Sequence, residues 1–124
     1  MELLVERKNA RLYADLHEGP SGQPGDPALL LHGLGGAAPS WQGLAEGLAL
    51  GRTVLVPELR GCGRSERGSG RLGLESMADD VVAFLDQLGY ERCHLTGHSL
   101  GGVIAQDLRV RHGDRVRSAV LVST

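Results

Sequence analysis

The sequence predicts an α/β fold: a mostly parallel β-sheet with an N-terminal antiparallel hairpin and helices on both faces. Three observations predict it. Short continuous apolar runs recur at Ala28-Leu29-Leu30-Leu31, Thr53-Val54-Leu55-Val56 and Ala119-Val120-Leu121-Val122, the mark of strands buried on both faces. Helix-period segments lie between these runs. Glycine-rich loops follow three of the strands. Strands and helices that alternate with short connections pair in parallel and cover both faces of the sheet.

The elements follow in order. Leu3-Leu4-Val5 and Leu12-Tyr13-Ala14-Asp15-Leu16 flank the polar Lys8-Asn9-Ala10 and read as the hairpin. Gly19 to Pro27, with three glycines and three prolines, reads as a loop. Trp41, Leu44, Ala45 and Leu48 outline a first helix, with Ser40 as its expected N-cap after Pro39. Leu74, Met77, Ala78, Val81, Leu85 and Leu88 share one face of a second, which Gly89 can close. Cys93-His94-Leu95-Thr96 is a weaker strand run, and Leu100, Val103, Ile104 and Leu108 give a third helix.

Composition excludes several function classes. A chain of 124 residues holds one domain and hardly more. Thirteen basic and fifteen acidic side chains leave a net charge of -2, and aromatic residues are 3%. Neither an electrostatic footprint nor a stacking platform for nucleic acid is present. Glu2, Glu6, Arg7 and Lys8 break up the N-terminus, and no apolar run approaches the ~18 residues of a membrane span. Cys62 and Cys93 have no metal or redox spacing and read as unpaired thiols of a cytoplasmic protein. No cofactor and no metal are expected.

In a parallel sheet, function collects in the loops at the C-terminal ends of the strands. Those loops here are His32-Gly33-Leu34-Gly35-Gly36, Arg60-Gly61-Cys62-Gly63-Arg64-Ser65 and Gly97-His98-Ser99-Leu100-Gly101-Gly102. The third has the Gly-x-Ser-x-Gly pattern between a strand and a helix. So tight a turn strains the serine backbone, and side chains two residues either side would clash, which Gly97 and Gly101 avoid. The serine then stands at a helix N-terminus, where free N–H groups favour developing negative charge. A glycine-rich turn with an incidental serine is the bland alternative.

These motifs, with Pro57-Glu58-Leu59 ahead of the second loop and the ending Arg115-Val116-Arg117-Ser118-Ala119-Val120-Leu121-Val122, resemble the α/β-hydrolase family. The similarity is strongest to its enol-lactonase, esterase and haloperoxidase branch and runs from about Leu29 onward. Glu58 stands where the family commonly has aspartate, and Cys62 where it has histidine. The resemblance implies Ser99 as nucleophile and an oxyanion hole from the backbone N–H groups of Leu34 and Leu100. It makes His98 part of the elbow with Gly97 and Gly101, and His32 a loop-bracing residue beside Gly33 and Gly35. It implies an ester, lactone or related acyl substrate. A serine at position 99 argues against the epoxide hydrolases and dehalogenases of the family, which place an aspartate there.

The family's triad continues with an acid and then a histidine. Asp107 sits within the third helix, Asp114 and His112 at its far end, and His98 points away from its neighbour Ser99; His17 and His94 have no visible partner. Residues 1–124 are therefore expected to be the N-terminal part of one α/β-hydrolase domain, a truncated form lacking its C-terminal strands and cap. Such a chain is expected to be nearly inactive alone, because a serine hydroxyl without its base is a poor nucleophile. The strand at Ala119–Val122, left as an edge, would invite self-association.

Two other readings remain. One is a non-catalytic α/β binding module that keeps Ser99 as scaffold. The other is a dinucleotide-binding domain: Gly33-Leu34-Gly35-Gly36-Ala37-Ala38 fits G-x-G-x-x-A, and Glu58 follows at about the distance of a ribose ligand. Against it, Pro39 would fall inside the first helical turns. No Gly-Lys-Ser/Thr follows any of the loops, which excludes a P-loop.

Overall fold

The computed structural model describes residues 1–21 and 25–124. Part of the Gly19–Pro27 loop, residues 22–24, lies outside the described residues. Six strands form one sheet: β1 (Glu2–Glu6), β2 (Arg11–His17), β3 (Ala28–Leu31), β4 (Val54–Pro57), β5 (Cys93–His98) and β6 (Val116–Val122), in the order β1-β2-β4-β3-β5-β6. β1 pairs with β2 and β2 with β4 antiparallel, while β4, β3, β5 and β6 are mutually parallel. The predicted fold class is observed.

β3 and β4 are buried at every position, as their continuous apolar runs require. Alternate residues serve the two faces. Leu29, Leu31, Leu55 and Leu95 meet α2 (Leu74–Leu88) and α3 (Leu100–Arg111) in one core. Ala28, Leu30, Val54 and Val56 meet α1 (Gln42–Leu48) in the other. Phe84 and Leu85 of α2 are fully buried, worth about 1.5–3 kcal/mol each.

The predicted C-terminal end of α2 is the one observed. Gly89 takes a left-handed φ of 77°, and the N–H groups of Gly89 and Tyr90 donate to the Asp86 and Leu85 carbonyls at 3.1 and 3.0 Å, a Schellman motif. The first helix differs from expectation. A 3-10 turn, Ala38–Trp41, precedes it, so Ser40 lies inside that turn and Trp41 is the N-cap of α1. Ser40 Oγ instead accepts from the Ala37 N–H at 3.3 Å. Leu44, expected inward, is exposed, and α1 buries only Ala45 fully. Val103 of α3 is likewise exposed. There the buried face is Gly101, Gly102, Ile104, Ala105 and Leu108, and the two glycines at its start let the helix lie close to the sheet.

Polar contacts fasten the hairpin to the rest. Arg60 binds buried Asp80 of α2 through Nε (2.9 Å) and Nη2 (2.8 Å), and its Nη1 donates to Asn9 Oδ1 (2.8 Å) in the β1–β2 turn. Arg7 Nε also donates to Asp80, at 3.1 Å. Hydrogen bonding to Asp80 pushes the Arg60 guanidinium further toward its charged form, against its burial.

Removing one partner of a buried pair strands the other charge. Asp80→Ala should therefore destabilise by about 3–5 kcal/mol in urea unfolding. Asp107→Ala, which breaks an exposed i,i+4 pair with Arg111, should leave the urea midpoint nearly unchanged by comparison.

Candidate active site

Because β3, β4 and β5 run parallel, the loops that follow them leave the same edge of the sheet. At its centre is the turn from β5 into α3. Ser99 has φ 53° and ψ −114°, a conformation costly for any residue but glycine. The strand runs to His98 and the helix begins at Leu100, so Ser99 alone makes the turn. The Ser99 N–H donates to the Val122 carbonyl at 3.0 Å, and its own carbonyl accepts from Gly102 and Val103. Its side chain is exposed.

The surroundings leave no space for extra atoms. A Cβ on Gly97 would lie 2.6 Å from the Gly102 nitrogen, and one on Gly101 would lie 2.7 Å from the Leu31 carbonyl carbon. A Cβ on Gly33 would lie 3.1 Å from both Ser99 Cβ and His98 Nδ1, which puts the loop after β3 directly on the serine turn. Gly33 to Gly36 is a β-turn: the Gly36 N–H donates to the Gly33 carbonyl at 2.9 Å, and Gly35 has φ 80°. A left-handed third residue is what a type II turn demands. Leu34 occupies the second position with its side chain 85% exposed. Among the described residues, neither the Leu34 nor the Leu100 N–H has an acceptor.

Two buried side chains hold the loops in register. The Leu59 N–H donates to His32 Nε2 at 3.0 Å, and His32 Nδ1 lies 2.8 Å from the Gly33 carbonyl. Nε2 must therefore be the unprotonated nitrogen and Nδ1 the donor. Both ring nitrogens are engaged, and His32 joins the loop after β3 to the one after β4.

Glu58 makes a second tie. Its carboxylate accepts from the Ala38 N–H (3.1 Å), the Arg64 N–H (3.0 Å) and Arg64 Nε (2.6 Å). Arg64 reaches on to Glu2 and Asp15. A Cβ on Gly63 would fall 2.7 Å from Glu58 Oε1, so this carboxylate fills the space beside a glycine in the left-handed region. Burial pushes the Glu58 carboxyl up, but the hydrogen bonds from Arg64 and Ala38 outweigh it and hold the group below its ordinary 4.5.

These contacts bear on the dinucleotide reading. Both Glu58 oxygens are committed to the loops, and the group is 3% exposed, which leaves neither for a ribose. The glycine stretch forms a turn rather than the start of a helix, so it offers no helix N-terminus to a pyrophosphate.

A cleft of about 430 Å³ opens beside the serine turn, lined by His32, Leu34, Ser40, Trp41, His98, Val122 and the glycines of the Gly33–Gly36 turn. Trp41 and Val122, read from the sequence only as helix and strand positions, are additions to the candidate site. Val122 could have been found from the parallel direction of β6, which brings the end of that strand to the active edge. Of the other histidines, His94 Nδ1 pairs with Ser118 Oγ at 2.7 Å and His112 Nε2 with Asp79 at 3.1 Å. His17 Nε2 is buried with no partner among the described residues. None of these contacts involves Ser99. Cys93 is buried, which pushes its thiol up to about 12, and Cys62 is raised by burial and by Glu58. Among the described residues, no group of three or more His, Cys, Asp or Glu could hold a metal ion, and no helix is long and apolar enough to cross a membrane.

The fold has a counterpart in known proteins. Residues 26–124 match the family described as alpha/beta hydrolase fold. The chain belongs to this family. RutD of Azorhizobium caulinodans, named as a carbamate hydrolase, is 36% identical over 115 residues, which are 93% of this chain and 42% of that protein. The 2-hydroxymuconate semialdehyde hydrolase of a Pseudomonas species is 34% identical over 119 residues, covering 93% of this chain and 41% of its own length. Among solved structures, Est816, described as an N-acyl homoserine lactone degrading enzyme, superposes with a TM-score of 0.89 at 31% identity, covering 98% of this chain and 45% of its own. The chain thus spans about two fifths of the length of the curated relatives it matches.

Two outcomes are expected. Gly101→Ala should destabilise by about 3 kcal/mol or more, whereas Gly43→Ala, in α1 with nothing within 4 Å of the added Cβ, should stabilise by about 0.5–1 kcal/mol. Urea midpoints measure both. A carboxyl held below its ordinary value contributes stability that is present above that value and lost as pH falls through the folded one. Glu58→Gln should accordingly flatten the loss of stability below about pH 4.5, as read from urea midpoints across the acid range.

Proposed function

We propose that this chain carries the nucleophile half of a serine hydrolase acting on esters, lactones or related acyl substrates. One observation carries the reading: Ser99, exposed and in a strained turn, sits at the start of α3 with the Gly33–Leu34 turn packed against it. The Ser99 hydroxyl would attack the substrate carbonyl carbon and give its proton to a base. The carbonyl π electrons would move to oxygen and be received by the N–H groups of Leu34 and Leu100, an oxyanion hole. Collapse would expel the leaving group, which takes up the proton. Water would then release the acyl group by the same steps. His98, Gly97 and Gly101 shape the elbow, and His32, Gly33 and Gly35 support the loop.

The base and its acid partner are assigned to a segment beyond residues 1–124, which makes this chain the N-terminal part of one hydrolase domain. In support, no described histidine is hydrogen-bonded to Ser99. The exposed edge of β6 supports a further part of the proposal, the pairing of Ala119–Val122 with another strand, from a longer chain or a second copy.

Loss of the histidine from such a site costs about a million-fold in turnover. Alone, the chain should react only slowly with a fluorophosphonate probe, and added imidazole should accelerate labelling of Ser99, as read by peptide mapping. Ser99→Ala should show none. Stoichiometric labelling at neutral pH without imidazole would overturn the missing base; no labelling of Ser99 even with imidazole would overturn the nucleophile.

A further inference from the structure

We infer that the chain carries an anion site, suited to a phosphate group, at the edge of the sheet opposite Ser99. A cleft of about 280 Å³ opens there, lined by Asp26, Arg52, Thr53, His94 and Arg117 together with Tyr90 and two glycines. Asp26 precedes β3, Thr53 precedes β4, and His94 and Arg117 stand at the starts of β5 and β6. The cleft shares no residue with the serine turn, and the site does not depend on the hydrolase reading. Charge singles it out. Its wall holds two arginines against one carboxylate. Of four other clefts among the described residues, three hold more acids than bases and the one beside Ser99 holds neither. The chain as a whole has a net charge of -2, so a cationic wall runs against the bulk composition.

Both arginines are held in place. Cys93 pairs with Val116 but His94 with Ser118, so Arg117 is the extra residue of a β-bulge, a device that re-aims a side chain. Its Nε donates to Asp26 Oδ2 at 2.8 Å, and Arg52 Nη1 donates to the Asp26 carbonyl at 3.4 Å. One residue thus draws together guanidiniums from the starts of β4 and β6, which β3 and β5 separate. The Asp26 side chain is 20% exposed and that of Arg117 53%, so the carboxylate sits behind and the cation in front. Each arginine spends one nitrogen on Asp26, and among the described residues the others have no acceptor. Two neutral donors add to them. His94 Nδ1 lies 2.7 Å from Ser118 Oγ; with that hydroxyl donating, the ring proton is on Nε2. Thr53 Oγ1 accepts from the Gly19 N–H at 3.1 Å and keeps its own proton to donate. Guanidinium forks suit phosphate oxygens, and donors arriving from three strand starts meet a tetrahedral group better than a flat carboxylate.

The test titrates the whole chain with inorganic phosphate, glycerol 3-phosphate and acetate at constant ionic strength, which holds general screening fixed. Arginine Nε–H and histidine ring resonances are followed by NMR. Both phosphates should shift the Arg52, Arg117 and His94 signals saturably, and acetate should bind at least about fivefold more weakly. Tighter binding of glycerol 3-phosphate would assign the site to a phosphate ester, and tighter binding of inorganic phosphate to the free ion. Arg117→Gln and Arg52→Gln should each weaken phosphate binding by about fivefold. Arg117→Gln also leaves the Asp26 carboxylate without its cation, whereas Arg52 gives up only a bond to a carbonyl, so Arg52→Gln decides the matter if the first variant unsettles the fold. Arg109→Gln, at an exposed position of α3, should change nothing. No saturable shift with either phosphate, acetate binding as tightly, or phosphate binding that is unchanged in Arg52→Gln would overturn the site. None of these results touches the labelling of Ser99, so the hydrolase reading stands or falls separately.

Discussion

The close approach of backbone to backbone around Ser99 is the constraint on which the rest depends. β5 turns into α3 within one residue, and that geometry exists only because Gly97 and Gly101 have no Cβ to place against Gly102 and Leu31. The same closeness brings the Gly33 turn onto the serine. Three glycines therefore set the spacing between two loops that are 66 residues apart in sequence (Gly33 and Ser99). The strained backbone of Ser99 lies at this same point, as the N-cap of α3 with its residue exposed.

Buried polar groups then lock what the glycines allow. His32 and Glu58 each stand at the C-terminal end of a strand and accept or donate across to the neighbouring loop. An apolar residue at either position would leave backbone N–H groups of Leu59, Arg64 or Ala38 without acceptors, a cost that buried amides do not readily bear. The Arg60–Asp80 pair does the same for the hairpin, at a site where three elements meet. These side chains have no chemistry of their own in the proposed reaction. They keep the loops still, which is what an oxyanion site requires of its frame.

Much of this could be read from the sequence, and the lapses have physical causes. The strands of the sheet centre were legible because burial on both faces writes itself as continuous apolar runs. α2 was legible in its buried face and its C-terminal end, since a fifteen-residue amphipathic helix closed by glycine leaves little freedom. α1 was misread because seven residues, two of them glycine, hold too few turns to define a face, and Pro39 starts a 3-10 turn first. Ile104 and Leu108 of α3 point inward as periodicity requires, but Val103 was placed there too, at a position where the buried face is supplied by Gly101, Gly102 and Ala105. The loop between β4 and α2 owes its order to Arg60, Arg64 and Ser65 finding partners far along the chain, which no local pattern records. The serine turn was legible in outline; the two walls added by Trp41 and Val122 required knowledge of which strand ends converge.

The strand order has a consequence for how the chain acquires this site. β1 and β2 can pair as soon as they are made, but β2 next meets β4, and β3 lies between β4 and β5. During synthesis, β3 must wait more than sixty residues for the pairing of Ala28–Leu31 with His94–Gly97. Contacts that span so much chain close late, after the loop entropy has been met. The hairpin and α2 can thus be in place while Leu29–Leu31 still lacks a neighbour on one side, an apolar strand edge open to association. Pairing of β3 with β5 ends that exposure and sets the Gly33 turn against Ser99 in the same event, while β6, later in the chain, still has to pair along β5 and bring the Val122 carbonyl to the Ser99 N–H.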